Sequence, residues 1–140
     1  MTGFTLHLAA ALAAGLGAVA RLLLDGVISA AVARRTARGG RAGALPWGTL
    51  AVNLSGALLI GIAAGLFVTG FTGGSPHVDT WQAAVALGFL GGYTTFSTAS
   101  YQTMRLVRER RWGLAIVNGL AQLLCTVVLV ALGWWLTTLG

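Results

Sequence analysis

The sequence predicts an all-α membrane protein of four transmembrane helices, with the third interrupted near its middle. Hydrophobic residues make up 56% of the 140 residues and the mean hydropathy is +0.83, more apolar surface than a soluble chain of this size can hide. The apolar residues fall into four blocks, each long enough for the roughly 30 Å of bilayer hydrocarbon. The third block carries paired glycines followed by a run of hydroxyl residues, an unstable composition for a continuous helix.

The first helix is expected over about Phe4 to Ala33. It begins with no basic residue and its apolar stretch exceeds a secretory signal core, so it reads as a retained helix. Arg21 and Asp25 lie four apart and share a face. They either form a packed ion pair near the arginine-bearing end or serve a water-filled vestibule. The second helix, Trp47 to Phe71, brings Asn53 and Ser55 early, then Gly56, Gly61 and Gly65, a spacing that lets helices approach closely. The third runs from Trp81 to about Met104 and the fourth from Trp112 to Leu139. Trp47, Trp81 and Trp112 stand at block starts and Trp134 and Trp135 near the last block's end, where indoles favour the headgroup level. Cys125, the single cysteine, permits no internal disulfide and is expected to be a buried, inert thiol. Gly73, Gly74, Ser75 and Pro76 mark a turn, and residues 1–140 form one four-helix domain.

The net charge of +6 would point to nucleic acid in a soluble protein, but the arginines are arranged otherwise. Arg34, Arg35, Arg38 and Arg41 follow the first block, and Arg105, Arg108, Arg110 and Arg111 follow the third. In a four-helix chain these two connections share one side of the membrane. The opposite side, with both chain ends and the connection from about Thr72 to Thr80, has no Lys or Arg. A bias of eight to none places the arginine-rich loops in the cytoplasm and both termini outside. The loops also suit anionic lipid headgroups, and no nucleic-acid partner is expected.

In the third block, Gly91-Gly92-Tyr93-Thr94-Thr95-Phe96-Ser97-Thr98-Ala99-Ser100 places the interruption at Gly91 to Thr95. A broken helix frees backbone carbonyls on one side and N–H groups on the other, which is tolerated only facing protein or a cavity. The carbonyls can hold a cation, and the new helix start with Ser97 and Thr98 can attract an anion. Alternatively, the hydroxyls bond back to their own helix.

This segment resembles the third-helix signature of the Fluc (CrcB) fluoride channels, GGxTTFSTFS. Gly17-Ala18-Val19-Ala20-Arg21 resembles that family's GAxxR, and Gly48 to Gly56 resembles its GTLxVNxxG. Length and helix count agree as well. The resemblance implies passive export of cytoplasmic fluoride by two four-helix subunits in antiparallel orientation, around a central structural sodium ion (Na+). By motif position, the carbonyls of Gly91 and Thr94 would ligate sodium and Phe96 would line the pore. Asn53, Ser97 and Thr98 would offer hydrogen bonds to fluoride, and Arg21 would sit at a vestibule. A small, strongly hydrated anion needs replacement donors, and the positive edge of an aromatic ring supplies a further weak contact.

The chain departs from that pattern at three places. Ala99 stands where the signature has a second phenylalanine, Gln102 where an acidic residue often follows, and Asn118 where many relatives carry a tyrosine. These departures bear on whether the subunit completes two pores. Self-pairing in antiparallel fashion also needs balanced loop charge, so eight to none implies a heterodimer with a homologous subunit of opposite bias. Two other functions are compatible with four helices: a proton-coupled exporter of the small multidrug type, for which Asp25 is the sole membrane carboxylate, and a non-conducting partner subunit. No enzyme constellation is present in the sequence: the acids are Asp25, Asp79 and Glu109, and His7 and His77 lie far apart, with His7 expected at the interface.

Overall fold

The computed structural model describes residues 3–39, 45–72 and 80–138. Among them every regular element is helical: α1 (Gly3–Ala37), α2 (Trp47–Thr72), α3 (Thr80–Tyr93), α4 (Phe96–Arg108), α5 (Trp112–Leu120) and α6 (Thr126–Thr138). A π-helical turn, Ala121–Cys125, joins α5 to α6 without a break, so the fourth crossing runs Trp112–Thr138. Among the described residues, three uninterrupted helices are long and apolar enough to cross a membrane. The third crossing is divided between α3 and α4, of 14 and 13 residues, each only about 20 Å long.

Two helix ends lie beyond the expected boundaries. α1 continues past Ala33 to Ala37 and takes Arg34 and Arg35 into its last turn, and α4 continues past Met104 to Arg108, with Arg105 and Arg108 in its last turn. Cations at a helix C-terminus meet the negative end of the macrodipole, so these arginines extend the helices rather than terminating them. α4 ends in a Schellman turn: Arg111 N–H donates to Leu106 O and Arg110 N–H to Val107 O, both at 2.9 Å. Arg110 occupies the left-handed position, φ 58°, that glycine usually fills. Arg41, Leu139 and the turn from Gly73 to Pro76 lie outside the described residues.

The crossings pack as two parallel pairs. Along α1 and α3, Ala10 faces Gly88 and Ala14 faces Gly92, so contacts advance in the same direction on both helices. Along α2 and α6, Gly61 meets the backbone of Val130 and Gly65 that of Trp134. Parallel first and third crossings require the chain to return between them, which is the up-and-down path expected of a four-crossing protein. In lipid, where apolar burial does not drive helices together, such seams of small residues let backbones touch. A Cβ on Gly61 would overlap Val130 main-chain atoms, whereas one on Gly26 would meet nothing. Gly61→Ala should therefore cost about 2 kcal/mol or more of subunit stability, while Gly26→Ala should leave it unchanged or raise it by up to about 1 kcal/mol. Unfolding midpoints in detergent micelles compare the two.

The distribution of polarity is that of a protein solvated by lipid. Leu16, Leu22, Leu23, Val27 and Val128 are among many exposed large apolar side chains, whereas two of the three most buried side chains are the polar Thr49 and Asn118. Cys125, at the end of the π turn, is exposed, contrary to the expected burial. His7 is exposed near the start of α1, with Nδ1 2.6 Å from Gly3 O.

Candidate functional site

The break in the third crossing is narrower than the paired glycines imply. Gly91, Gly92 and Tyr93 are helical, and only Thr94 and Thr95 leave the helix. Gly92 instead serves packing against Ala14, and Gly91 faces open space. α3 is closed by Thr94, whose N–H and hydroxyl both donate to Leu90 O, at 3.0 and 2.9 Å. Thr95 is extended (φ −150°, ψ 122°) and caps α4, its Oγ1 accepting from Thr98 N–H, the usual role of a threonine at a helix start.

A second helix holds Thr95 in place. Asn53 of α2 accepts from Thr95 N–H through Oδ1 at 2.9 Å and donates Nδ2 to Thr95 O at 2.8 Å. The same Nδ2 donates to Gln122 Oε1 at 3.0 Å, which ties the break to the π turn of the fourth crossing. α2 comes this close because Gly56, one turn beyond Asn53, has no side chain to strike Thr94 Cγ2 and the Tyr93 ring. Tyr93 is held in turn by Ser55, hydroxyl to hydroxyl at 2.8 Å, and lies parallel to Phe89.

Asn53, Thr94 and Phe96 line one cavity of about 600 Å³, with Thr95, Ser100, Gln122 and Thr126. Phe96 is 88% exposed at the surface of the subunit. Ser97 and Thr98 stay in the first turn of α4, where Thr95 Oγ1 donates to Thr98 Oγ1 at 3.1 Å and lies 3.3 Å from Ser97 Oγ. The hydroxyl run bonds locally. Thr94 and Thr103 bond back to their own helical stretch, while Thr95, Ser97 and Thr98 cluster at the break.

Arg21 and Asp25 do not pair. Asp25 accepts from Ser29 Oγ at 3.1 Å, Thr49 Oγ1 stands 3.5 Å from its other oxygen, and the carboxylate lies against Gly48 in the first turn of α2. A carboxylate is favoured at that positive helix end, which removes it from Arg21. Arg21 Nε is left buried without a hydrogen-bond partner, and Arg21 does not line the cavity at the break.

The departures Gln102 and Asn118 are built into the same polar interior. Gln102 Nε2 donates to Thr49 Oγ1 at 2.8 Å, and Thr49 faces Asp25. An amide here donates where a carboxylate would confront Asp25 across one hydroxyl. Asn118 Nδ2 donates to Thr103 Oγ1 at 2.8 Å. Ala99 is buried and lines the cavity. Thr49 and Thr95 lie inside the motifs without having been given a role, and Gln122 lies outside them. The sequence signal for Gln122 is a stripe of polar residues at spacing four, Asn118, Gln122 and Thr126, on an otherwise apolar helix.

The carbonyls of Gly91 and Thr94 fit a hard cation in their chemistry. Among the described residues neither accepts a hydrogen bond, because Thr95 N–H, the natural partner of Gly91 O, is taken by Asn53. Oxygen donors free of competing N–H groups are what hard cations select.

Long apolar helices around a third crossing that breaks at Thr94 and Thr95 make this a multi-pass helical membrane protein with one discontinuous helix. The family described as CrcB-like protein, Camphor Resistance (CrcB), matches residues 8–134, and the chain belongs to it. Among similar proteins, the Fluoride-specific ion channel FluC 1 of Leifsonia xyli subsp. xyli is 40% identical over 129 residues, covering 92% of this chain and 84% of that protein. The Fluoride-specific ion channel FluC of Geobacter sulfurreducens is 39% identical, covering 94% and 92%. That of Magnetococcus marinus is 37% identical, covering 88% and 89%.

Proposed function

We propose that the protein is a fluoride-selective channel that lets cytoplasmic fluoride leave down its gradient and so confers fluoride resistance, with no reaction catalysed. The observation that carries this reading is the helix break clamped by Asn53, beside an exposed Phe96 and a cavity of about 600 Å³, in a chain whose relatives are named as fluoride channels. Ser97 and Thr98 at the start of α4 would supply donors along the path, and Arg21, whose Nε has no hydrogen-bond partner, would sit at its vestibule. Phe96 offers the positive edge of its ring.

The conducting unit on this reading is an antiparallel dimer, and the eight-to-none arginine bias makes it a heterodimer with a homologous four-helix subunit of opposite bias. The exposed Phe96 and the open face at Gly91 support a second subunit at the break. Sodium would be held there by the carbonyls of Gly91 and Thr94. Two oxygens are too few for a hard cation that takes about six, so the partner would supply the rest. Sodium would supply positive charge at the centre of the assembly. The proton-coupled exporter is disfavoured because Asp25 is engaged by Ser29 and by the start of α2.

Expression of the chain alone, followed by reconstitution, tests the assembly. Fluoride efflux is expected only when an oppositely biased homologue is co-expressed. Antiparallel dimers with robust efflux from the chain alone would refute the heterodimer.

A further inference from the structure

We propose that Tyr93 and Ser55 are positioning residues for the sodium site. Their hydroxyl bond holds the last turn of α3, which carries the Gly91 carbonyl and leads into that of Thr94, in one rotation about its axis. The proposal rests on the reading that sodium is held at the break and names what aims its ligands.

The contact has one direction. Ser55 Oγ donates to Val52 O at 3.0 Å, which uses its only hydrogen. The Tyr93 hydroxyl, 2.8 Å from Ser55 Oγ, is therefore the donor. Tyr93 is buried, and a buried phenol without an acceptor is costly. Ser55 supplies that acceptor from α2.

Packing fixes the rest of Tyr93. Its ring lies parallel to that of Phe89, with centroids 6.0 Å apart. Its backbone nitrogen passes so close to Gly17 of α1 that a Cβ there would overlap it, and its ring edge passes Gly56 of α2. A phenylalanine would pack equally well in these contacts. What the hydroxyl adds is a bond to α2, and among the described side chains of α3 Tyr93 is the one hydrogen-bonded to another helix.

Gly91 stands two residues before Tyr93, about 200° round the helix. It is exposed, and a Cβ on it would meet nothing. Holding Tyr93 against α1 and α2 thus turns the Gly91 side outward, where a second subunit would bring further oxygens. On the other flank Asn53 holds Thr95. Thr94 lies between the two attachments with its Cγ2 over Gly56, so α2 grips the non-helical link at both ends. Asn53 alone leaves the end of α3 free to turn about that link, and the Tyr93 bond removes the freedom. A hard cation takes its oxygens at short, defined distances, so its affinity responds to such a rotation.

The test uses the chain with its oppositely biased subunit, in detergent micelles and in liposomes. The unfolding midpoint is recorded against sodium concentration, with N-methylglucamine keeping the ionic strength constant, and the concentration giving half of the stabilisation reports sodium affinity. Tyr93→Phe should raise that concentration about fivefold, while fluoride efflux at saturating sodium stays within about twofold of wild type. Ser55→Ala leaves the phenol buried without an acceptor and should raise it further. Adding Tyr93→Phe to Ser55→Ala removes the orphaned hydroxyl and should bring the value back to that of Tyr93→Phe alone. A midpoint lowered equally at every sodium concentration with half-saturation unchanged, or efflux lost even at saturating sodium, overturns the positioning role. Strictly additive effects of the two substitutions overturn the pairing. A wild-type midpoint indifferent to sodium overturns the sodium reading and the positioning role with it, whereas the double substitution measured in N-methylglucamine alone decides separately whether the two hydroxyls are coupled.

Discussion

Phe96→Ile is expected to abolish fluoride efflux through any pore that Phe96 lines while leaving the subunit folded. Phe96 is 88% exposed and contributes little to the packing of its own subunit, so its replacement by another apolar residue leaves helix contacts intact. What isoleucine lacks is the aromatic quadrupole, whose positive edge attracts an anion. Fluoride entering the break gives up hydration that aliphatic carbon cannot replace, and a polar or charged species without replacement ligands is strongly disfavoured in an apolar environment. Efflux should fall by at least about 100-fold, with an unchanged melting midpoint in detergent. Efflux equal to that of the wild type would remove Phe96 from the pathway.

Neutralising the loop arginines is expected to change the partner requirement. Eight arginines at about 1 kcal/mol each near a membrane surface bias insertion by several powers of ten. Replacing all eight by glutamine removes that bias, so the variant should insert both ways up and gain the ability to pair with itself. A reporter fused at the C-terminus should be found outside only in the wild type and on both sides in the variant. If self-pairing completes a pore, fluoride efflux from the chain alone should appear with the variant. Unchanged single orientation in the variant would show that the loops do not set direction.

The crossings were legible in the sequence because lipid imposes a length and a composition that no other solvent does, and the blocks at Trp47, Trp81 and Trp112 begin where α2, the third crossing and α5 begin within one residue. The arginines blurred the ends, since Arg34 and Arg105 cap helices as readily as they fill loops. The broken helix was also legible, but its exact place was not. Gly91 and Gly92 have low helix propensity, yet Gly92 is spent on contact with α1, and the break goes to Thr95, where Asn53 supplies the bonds the helix gives up. That partner lies 42 residues away, and propensity carries no such information. Arg21 and Asp25 illustrate the same limit, because spacing on one helix cannot reveal that the start of α2 claims the carboxylate. Gln122 went unremarked because it matches no motif element, although its place in the stripe from Asn118 to Thr126 marks an interior face.

The most direct measurement is fluoride release from liposomes holding this chain and its oppositely biased partner, followed with a fluoride electrode. Rapid loss of fluoride but not chloride, unaffected by an imposed pH gradient, is the expected result. Retention of fluoride, or release that follows the proton gradient, would contradict a passive fluoride channel.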